Sequence, residues 1–195
     1  MTIKIHLTLI LLILYNLFFG KIESLFMCYM FIVMHELSHM IVALLLNVDI
    51  EEISLMPMGV CAKYKGKISL LKEFIISISG PIASMLIAIL YNNKIYYLIN
   101  ICIVIFNMIP IYPFDGGRIL RVLLKIIFGE KVGQKISTYL TNILVIGIVL
   151  IAIFIAAYYK NFLLLIMSMY IYKISKDEIK KDKIIRAINY LQMDK

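Results

Sequence analysis

Apolar residues run along this chain in blocks close to the roughly 20 residues that a helix needs to cross the hydrocarbon core. None alternates with the two-residue period of a barrel strand. The pattern predicts six transmembrane helices, over about residues 4–20, 25–46, 71–91, 95–114, 136–158 and 161–175. The expected fold is therefore an all-α polytopic membrane protein. After the second helix, Ile53 to Tyr64 is rich in β-compatible residues interrupted by Pro57 and Gly59, which predicts a small re-entrant β-hairpin or edge strand. From Gly117 to Phe128, Arg118, Arg121 and Lys125 recur at i, i+3 and i+7 beside an Ile/Leu face, the pattern of a helix lying on the cytoplasmic leaflet. Past residue 175, Ile184, Ile188 and Leu191 line one side of a charged stretch. The expected domains are thus a membrane core over 1–175 and a short cytoplasmic amphipathic tail over 176–195.

Composition supports the membrane reading: 63% of the 195 residues are hydrophobic and 16% charged. The net charge of +8 does not point to nucleic acid, because the basic residues are scattered between apolar blocks. Under the six-span reading their distribution is lopsided. Lys4, Lys63, Lys65, Lys67, Lys72, Arg118, Arg121, Lys125, Lys131, Lys135 and the seven basic residues from Lys173 onward fall on one side, and Lys21, Lys94 and Lys160 on the other. The positive-inside rule makes the rich side cytoplasmic and puts both termini there. The segment before Lys21-Ile22-Glu23-Ser24 lacks a small-x-small cleavage site and is expected to be retained. Cys28, Cys61 and Cys102 are odd in number and form no CxxC pair, so neither a disulfide framework nor a thiolate metal cluster is expected.

Chemistry concentrates in the second block. His35-Glu36-Leu37-Ser38-His39 is an HExxH pattern, in which a helix puts both imidazoles on one face with the Glu beside them. A chain of this composition would contain it by chance on the order of 0.002 times. Ionisable groups inside a bilayer are costly, which argues against an inert role. Catalytic zinc takes three protein ligands and keeps one position for water. His6, Asp49 and the remaining glutamates sit near helix ends or in loops. Asp115 closes Asn107-Met108-Ile109-Pro110-Ile111-Tyr112-Pro113-Phe114-Asp115-Gly116-Gly117, where two prolines break a helix. By spacing alone, Asp115 is equally well a metal ligand or the cap of the next helix.

The pairing of HExxH with N-x-x-P-x-x-P-x-D-G-G resembles the site-2 protease family of intramembrane zinc metalloproteases (peptidase M50). Ser79-Gly80-Pro81 is similar to a Gly-Pro element of that family, although Ser84 stands where many members have Asn. The resemblance implies one zinc ion per chain held by His35, His39 and Asp115, with Glu36 activating water. Compact size, the early HExxH and the Ile/Lys/Asn usage are similar to the sporulation branch. That branch implies a membrane-associated substrate such as a sigma-factor precursor, with regulatory membrane proteins as further partners. That branch often carries a C-terminal nucleotide-sensing CBS domain, whereas this sequence stops about 20 residues after its last expected span, so regulation by ATP is not expected.

Hydrolysis in a membrane requires a substrate helix to unwind, and pairing with an exposed strand replaces its lost bonds. Ile53 to Val60 is the expected edge, and Asn107, Pro110 and Pro113 are the expected substrate-binding residues. Other classes fit less well. Metalloproteases with a glutamate as third ligand need one in a later span, and di-iron desaturases need more than the three histidines present. A transporter or a pseudoprotease would bind metal without hydrolysis, and the intact Glu36 speaks against the latter.

Overall fold

The computed structural model describes residues 2–5, 22–56, 59–66, 68–160 and 162–193. Two compact units divide the chain, Met1–Met108 and Ile109–Lys195.

The first unit holds β1 (Thr2–Ile5), α1 (Ile22–Leu45), β2 (Ile50–Met56), β3 (Gly59–Tyr64), α2 (Leu70–Leu90) and α3 (Lys94–Asn107). β1 lies parallel to β2, with Ile3 opposite Ile53, and β2 and β3 form an antiparallel hairpin with Ile53 opposite Ala62. A parallel pair needs a long crossover, and the chain through α1 supplies it. Beside the sheet, Ala43, Val48 and Ile76 form a buried cluster, wrapped by Val42, Leu46, Tyr64 and Ile68. Lys72 Nζ donates to Leu46 O at 2.7 Å, satisfying a carbonyl that the end of α1 leaves open. Ser69 caps α2 and Asn93 caps α3, each side chain accepting from a backbone N–H of the first turn.

The second unit holds α4 (Asp115–Phe128), α5 (Glu130–Tyr159) and α6 (Leu163–Met193). α4 buries Ile119 and Val122 and exposes Leu123, Ile126 and Ile127, so its apolar surface is wider than the unit itself covers. α5 buries Gln134, Ser137 and Thr141 at three- and four-residue spacing, a polar stripe along the N-terminal part of a helix that is apolar from Ile143 to Ala157. Ser175 of α6 donates to Tyr112 O, and the Arg121 guanidinium lies 4.7 Å from the centre of the Tyr112 ring.

This architecture corrects the expected fold class. Six helices occur among the described residues, but only Phe26–Leu45, Leu70–Leu90 and Glu130–Tyr159 are long and apolar enough to cross a membrane. The block expected over 95–114 stops at Asn107, because the chain then approaches Pro110 and Pro113, and α3 is left with 14 residues. Those span only about 21 Å of a roughly 30 Å core. The block expected over 161–175 is the start of a 31-residue helix that runs on into the charged C-terminal stretch without a break at 176. Of the first expected span, residues 4 and 5 belong to β1 and the rest lies outside the described residues. The small β element differs too. It is a three-stranded sheet, and its hairpin follows the first described helix. β2 is the central strand, so Ile53, Ser54 and Leu55 are paired on both sides and the outer strands are β1 and β3, the latter beginning at Gly59.

Candidate metal centre

His35 and His39 stand one turn apart on α1, 0% and 4% exposed. α2 runs antiparallel to α1 and meets both rings. His39 Nδ1 lies 2.6 Å from Ile76 O. A carbonyl can only accept, so Nδ1 carries the proton and Nε2 keeps its lone pair. His35 Nδ1 lies 2.9 Å from Ser84 Oγ. With their Nδ1 atoms turned to α2, the two Nε2 atoms approach to 3.3 Å. Two nitrogens about 2.0–2.1 Å from one zinc ion at a tetrahedral angle stand roughly 3.3 Å apart, so the pair fits this metal without rearrangement.

Gly80 makes that approach possible. A Cβ there would stand 2.2 Å from His39 Nε2 and 2.6 Å from His35 Nε2. Ser79 Oγ donates to the same Ile76 carbonyl at 2.7 Å and lies 3.3 Å from His39 Nδ1. Ile76 O, Gly80 and Ser84 have no role at the histidines that the HExxH spacing reveals. Ile76, Gly80, Ser84 and Ala88 recur every four residues and are all buried. In the sequence this is a small and polar stripe crossing an apolar helix, and it is the signal by which they could have been found.

Asp115 is the first residue of α4 and is 6% exposed. The cap position belongs to Phe114, which makes no side-chain cap bond, so the capping role left open by the spacing does not fall to Asp115. The chain reaches α4 through a tight turn in which Ile111 N donates to Ile109 O and Phe114 N to Ile111 O, at 2.7 and 2.9 Å. Gly117 closes against this turn. A Cβ there would stand 2.4 Å from the Ile111 carbonyl carbon and 2.6 Å from Tyr112 N. One ligand atom from each of His35, His39 and Asp115 lies within 4.8 Å of the other two. Among the described residues this is the one group of three or more His, Cys, Asp or Glu side chains able to share a metal ion.

Glu36 is half-buried on α1 next to His35. Asn107 is the last residue of α3, its Nδ2 donating to Ile103 O at 3.0 Å. Pro110 is exposed and Pro113 half-buried. His6, another candidate ligand, lies outside the described residues.

The chain is similar to known proteins along most of its length. The sequence profile of peptidase family M50 matches residues 24–97 and 91–154. A zinc metalloprotease of Methanocaldococcus jannaschii is 32% identical over 156 residues, 72% of this chain and 44% of that protein. The stage IV sporulation protein FB of Bacillus subtilis is 28% identical over 118 residues, 53% of this chain and 41% of that protein. The chain thus spans less than half the length of these curated relatives. The solved structure of a site-2 protease from Methanocaldococcus jannaschii superposes with a TM-score of 0.71 at 29% identity, covering 91% of this chain and 90% of that one.

Proposed function

Because the chain belongs to peptidase family M50, we propose that it is a membrane-embedded zinc metalloprotease that cleaves a membrane-associated protein, with His35, His39 and Asp115 as metal ligands and Glu36 as general base. The observation that carries this reading is the pair of Nε2 atoms 3.3 Å apart, both rings fixed from behind by α2. When bound, zinc supplies Lewis acidity towards a water molecule and the scissile carbonyl. Glu36, beside the His pair, takes the proton of the attacking water and returns it to the leaving amine. His39 holds its Nδ1 proton on Ile76 O, which would leave its Nε2 lone pair to hold the metal. The burial of all three ligands withholds bulk water from them.

The substrate is read as an unwound membrane segment bordered by Asn107, Pro110 and Pro113, with strand addition falling to β1 or β3 as the outer strands. Likeness to the sporulation protein of Bacillus subtilis supports the finer reading of a transcription-factor precursor, such as a sigma factor, as substrate. Regulatory membrane proteins and the lipid bilayer are the other partners in this reading, and nucleic acid is not one. Residues 1–175 form the protease core and 176–195 its tail. The protein is multi-pass, and both termini are read as cytoplasmic. β1 pairs with the strand that follows α1, which supports reading the N-terminal strand on the same side as the Lys-rich connection from α1 to α2. The C-terminal stretch from Lys173 is basic as well.

The test is cleavage of a membrane-tethered substrate by purified protein, with zinc measured in parallel. Glu36→Gln should abolish cleavage, by about 10²-fold or more, while zinc per chain stays at the wild-type value. Asp115→Asn should lose both, because a neutral amide is a poor zinc ligand. Cleavage that survives Glu36→Gln would sink the assignment, and zinc binding without any cleavage by the wild type would favour a metal-binding membrane protein.

A further inference from the structure

Asn100 of α3 is 0% exposed. Its Nδ2 donates to Tyr96 O at 2.9 Å, one turn back, whereas its Oδ1 has no hydrogen-bond partner. Leaving such an acceptor unmet in a dry interior is costly, so it marks a place where a donor belongs.

Helix geometry within the first unit shows what lies beside it. α2 and α3 are joined by the short turn Tyr91–Asn93 and run antiparallel. Ser84 comes six residues before the end of α2 and Asn100 six after the start of α3. Both are therefore about 9 Å from the turn, at one level. α1 contacts reach the same level independently. The Phe31 and Tyr96 rings meet edge to face at 5.3 Å. α1 and α3 are both antiparallel to α2 and so parallel to each other, and one turn further along each comes His35 and Asn100. Ser84 and His35, 2.9 Å apart, complete the triangle, and all three side chains are fully enclosed.

We propose that Asn100 is a positioning residue for His35, acting through Ser84 and one enclosed water. A hydroxyl facing an imidazole nitrogen can donate or accept, so Ser84 alone does not decide which nitrogen of His35 carries the proton. Asn100 decides it. The Tyr96 carbonyl accepts only, which fixes the amide with Nδ2 on that side and leaves Oδ1 as a buried, unmet acceptor at the level of Ser84. The Ser84 proton is drawn to Oδ1 through the water, Ser84 Oγ then accepts from His35 Nδ1–H, and His35 Nε2 is left unprotonated for a metal. With no acceptor at position 100, Ser84 can donate to Nδ1, the proton moves to Nε2 and metal binding is opposed.

This inference rests on reading His35 as a zinc ligand. The experiment measures zinc affinity of the full-length protein by chelator competition, and the ¹⁵N shifts of the His35 ring in the metal-free protein. Asn100→Leu, close in volume and without an acceptor, should weaken zinc binding about 10-fold and move the His35 proton towards Nε2. Asn100→Ser, whose hydroxyl donates to Tyr96 O while its oxygen accepts, should recover most of the affinity. In a Ser84→Ala background, Asn100→Leu should cost nothing further. If Asn100→Leu does not fold, Asn100→Ala is read by the same two measurements. Unchanged affinity and tautomer, or losses that add in the double variant, would overturn the proposal. A wild-type protein that binds no zinc would sink the metal reading instead, and the ring shifts would still report on Asn100.

Discussion

Gly80 and Gly117 each lack room for a methyl group, and what stands in the way differs. At Gly80 the obstacles are the two imidazole nitrogens, at 2.2 and 2.6 Å from a built Cβ. At Gly117 they are backbone atoms of Ile111 and Tyr112. The histidines are thus aimed by side chains and carbonyls of a neighbouring helix, and each ring can be disturbed alone. Asp115 is aimed by the path of its own backbone, which bends as a unit. The contrast predicts a strong and specific lesion at Gly80. In Gly80→Ala the rings must retreat by about 1 Å, a displacement worth roughly 100-fold or more in activity, and zinc binding falls with it. Excess zinc should not restore cleavage, because the Cβ occupies the space into which the nitrogens converge.

Gly117→Ala should do less to the chemistry and more to the fold. The turn before α4 has to open, which costs about 1–3 kcal/mol of stability. The His pair stays intact, so zinc affinity should drop by about 10-fold and added zinc should recover part of the cleavage. Thermal unfolding beside a zinc titration of both variants checks the comparison. An equal response of Gly80→Ala and Gly117→Ala to added zinc would remove the distinction between the two sides.

The same contrast governs what the sequence could reveal. HExxH is legible because a helix turns fixed spacing into a shared face, and His35 and His39 need no tertiary information to point the same way. Asp115 was ambiguous by spacing, because a ligand and a cap ask for the same residue at the same place. Only the cap position at Phe114 and the burial of Asp115 separate them. Blocks 25–46, 71–91 and 136–158 coincide closely with α1, α2 and α5. Counting spans failed where hydropathy and helix length part company. Residues 95–114 are apolar enough, but Pro110 and Pro113 leave a helix of 14 residues. The first expected span was set to begin at about residue 4, whereas Thr2–Ile5 pairs with a strand some 50 residues away, a partner that no local pattern reveals. Ser84 was noted only as standing where many family members have Asn, and Asn100 not at all, because neither polar residue shows a role until two helices bring them to one level.

The smallest effect is expected at Ser79, and it tests which group aims His39. Ser79 Oγ and His39 Nδ1 share the Ile76 carbonyl, at 2.7 and 2.6 Å. Ser79→Ala removes the competing hydroxyl and leaves the backbone acceptor in place, so His39 keeps its tautomer and its direction. Zinc affinity should change by less than about 3-fold, within the range of a weak hydrogen bond. Ser84→Ala, by contrast, takes away the group on His35 Nδ1 and should cost about 10-fold. Measured together by chelator competition, the two substitutions rank a side-chain partner against a backbone one. An equal loss in Ser79→Ala would mean that the hydroxyl 3.3 Å from Nδ1, and not the Ile76 carbonyl, holds the second imidazole.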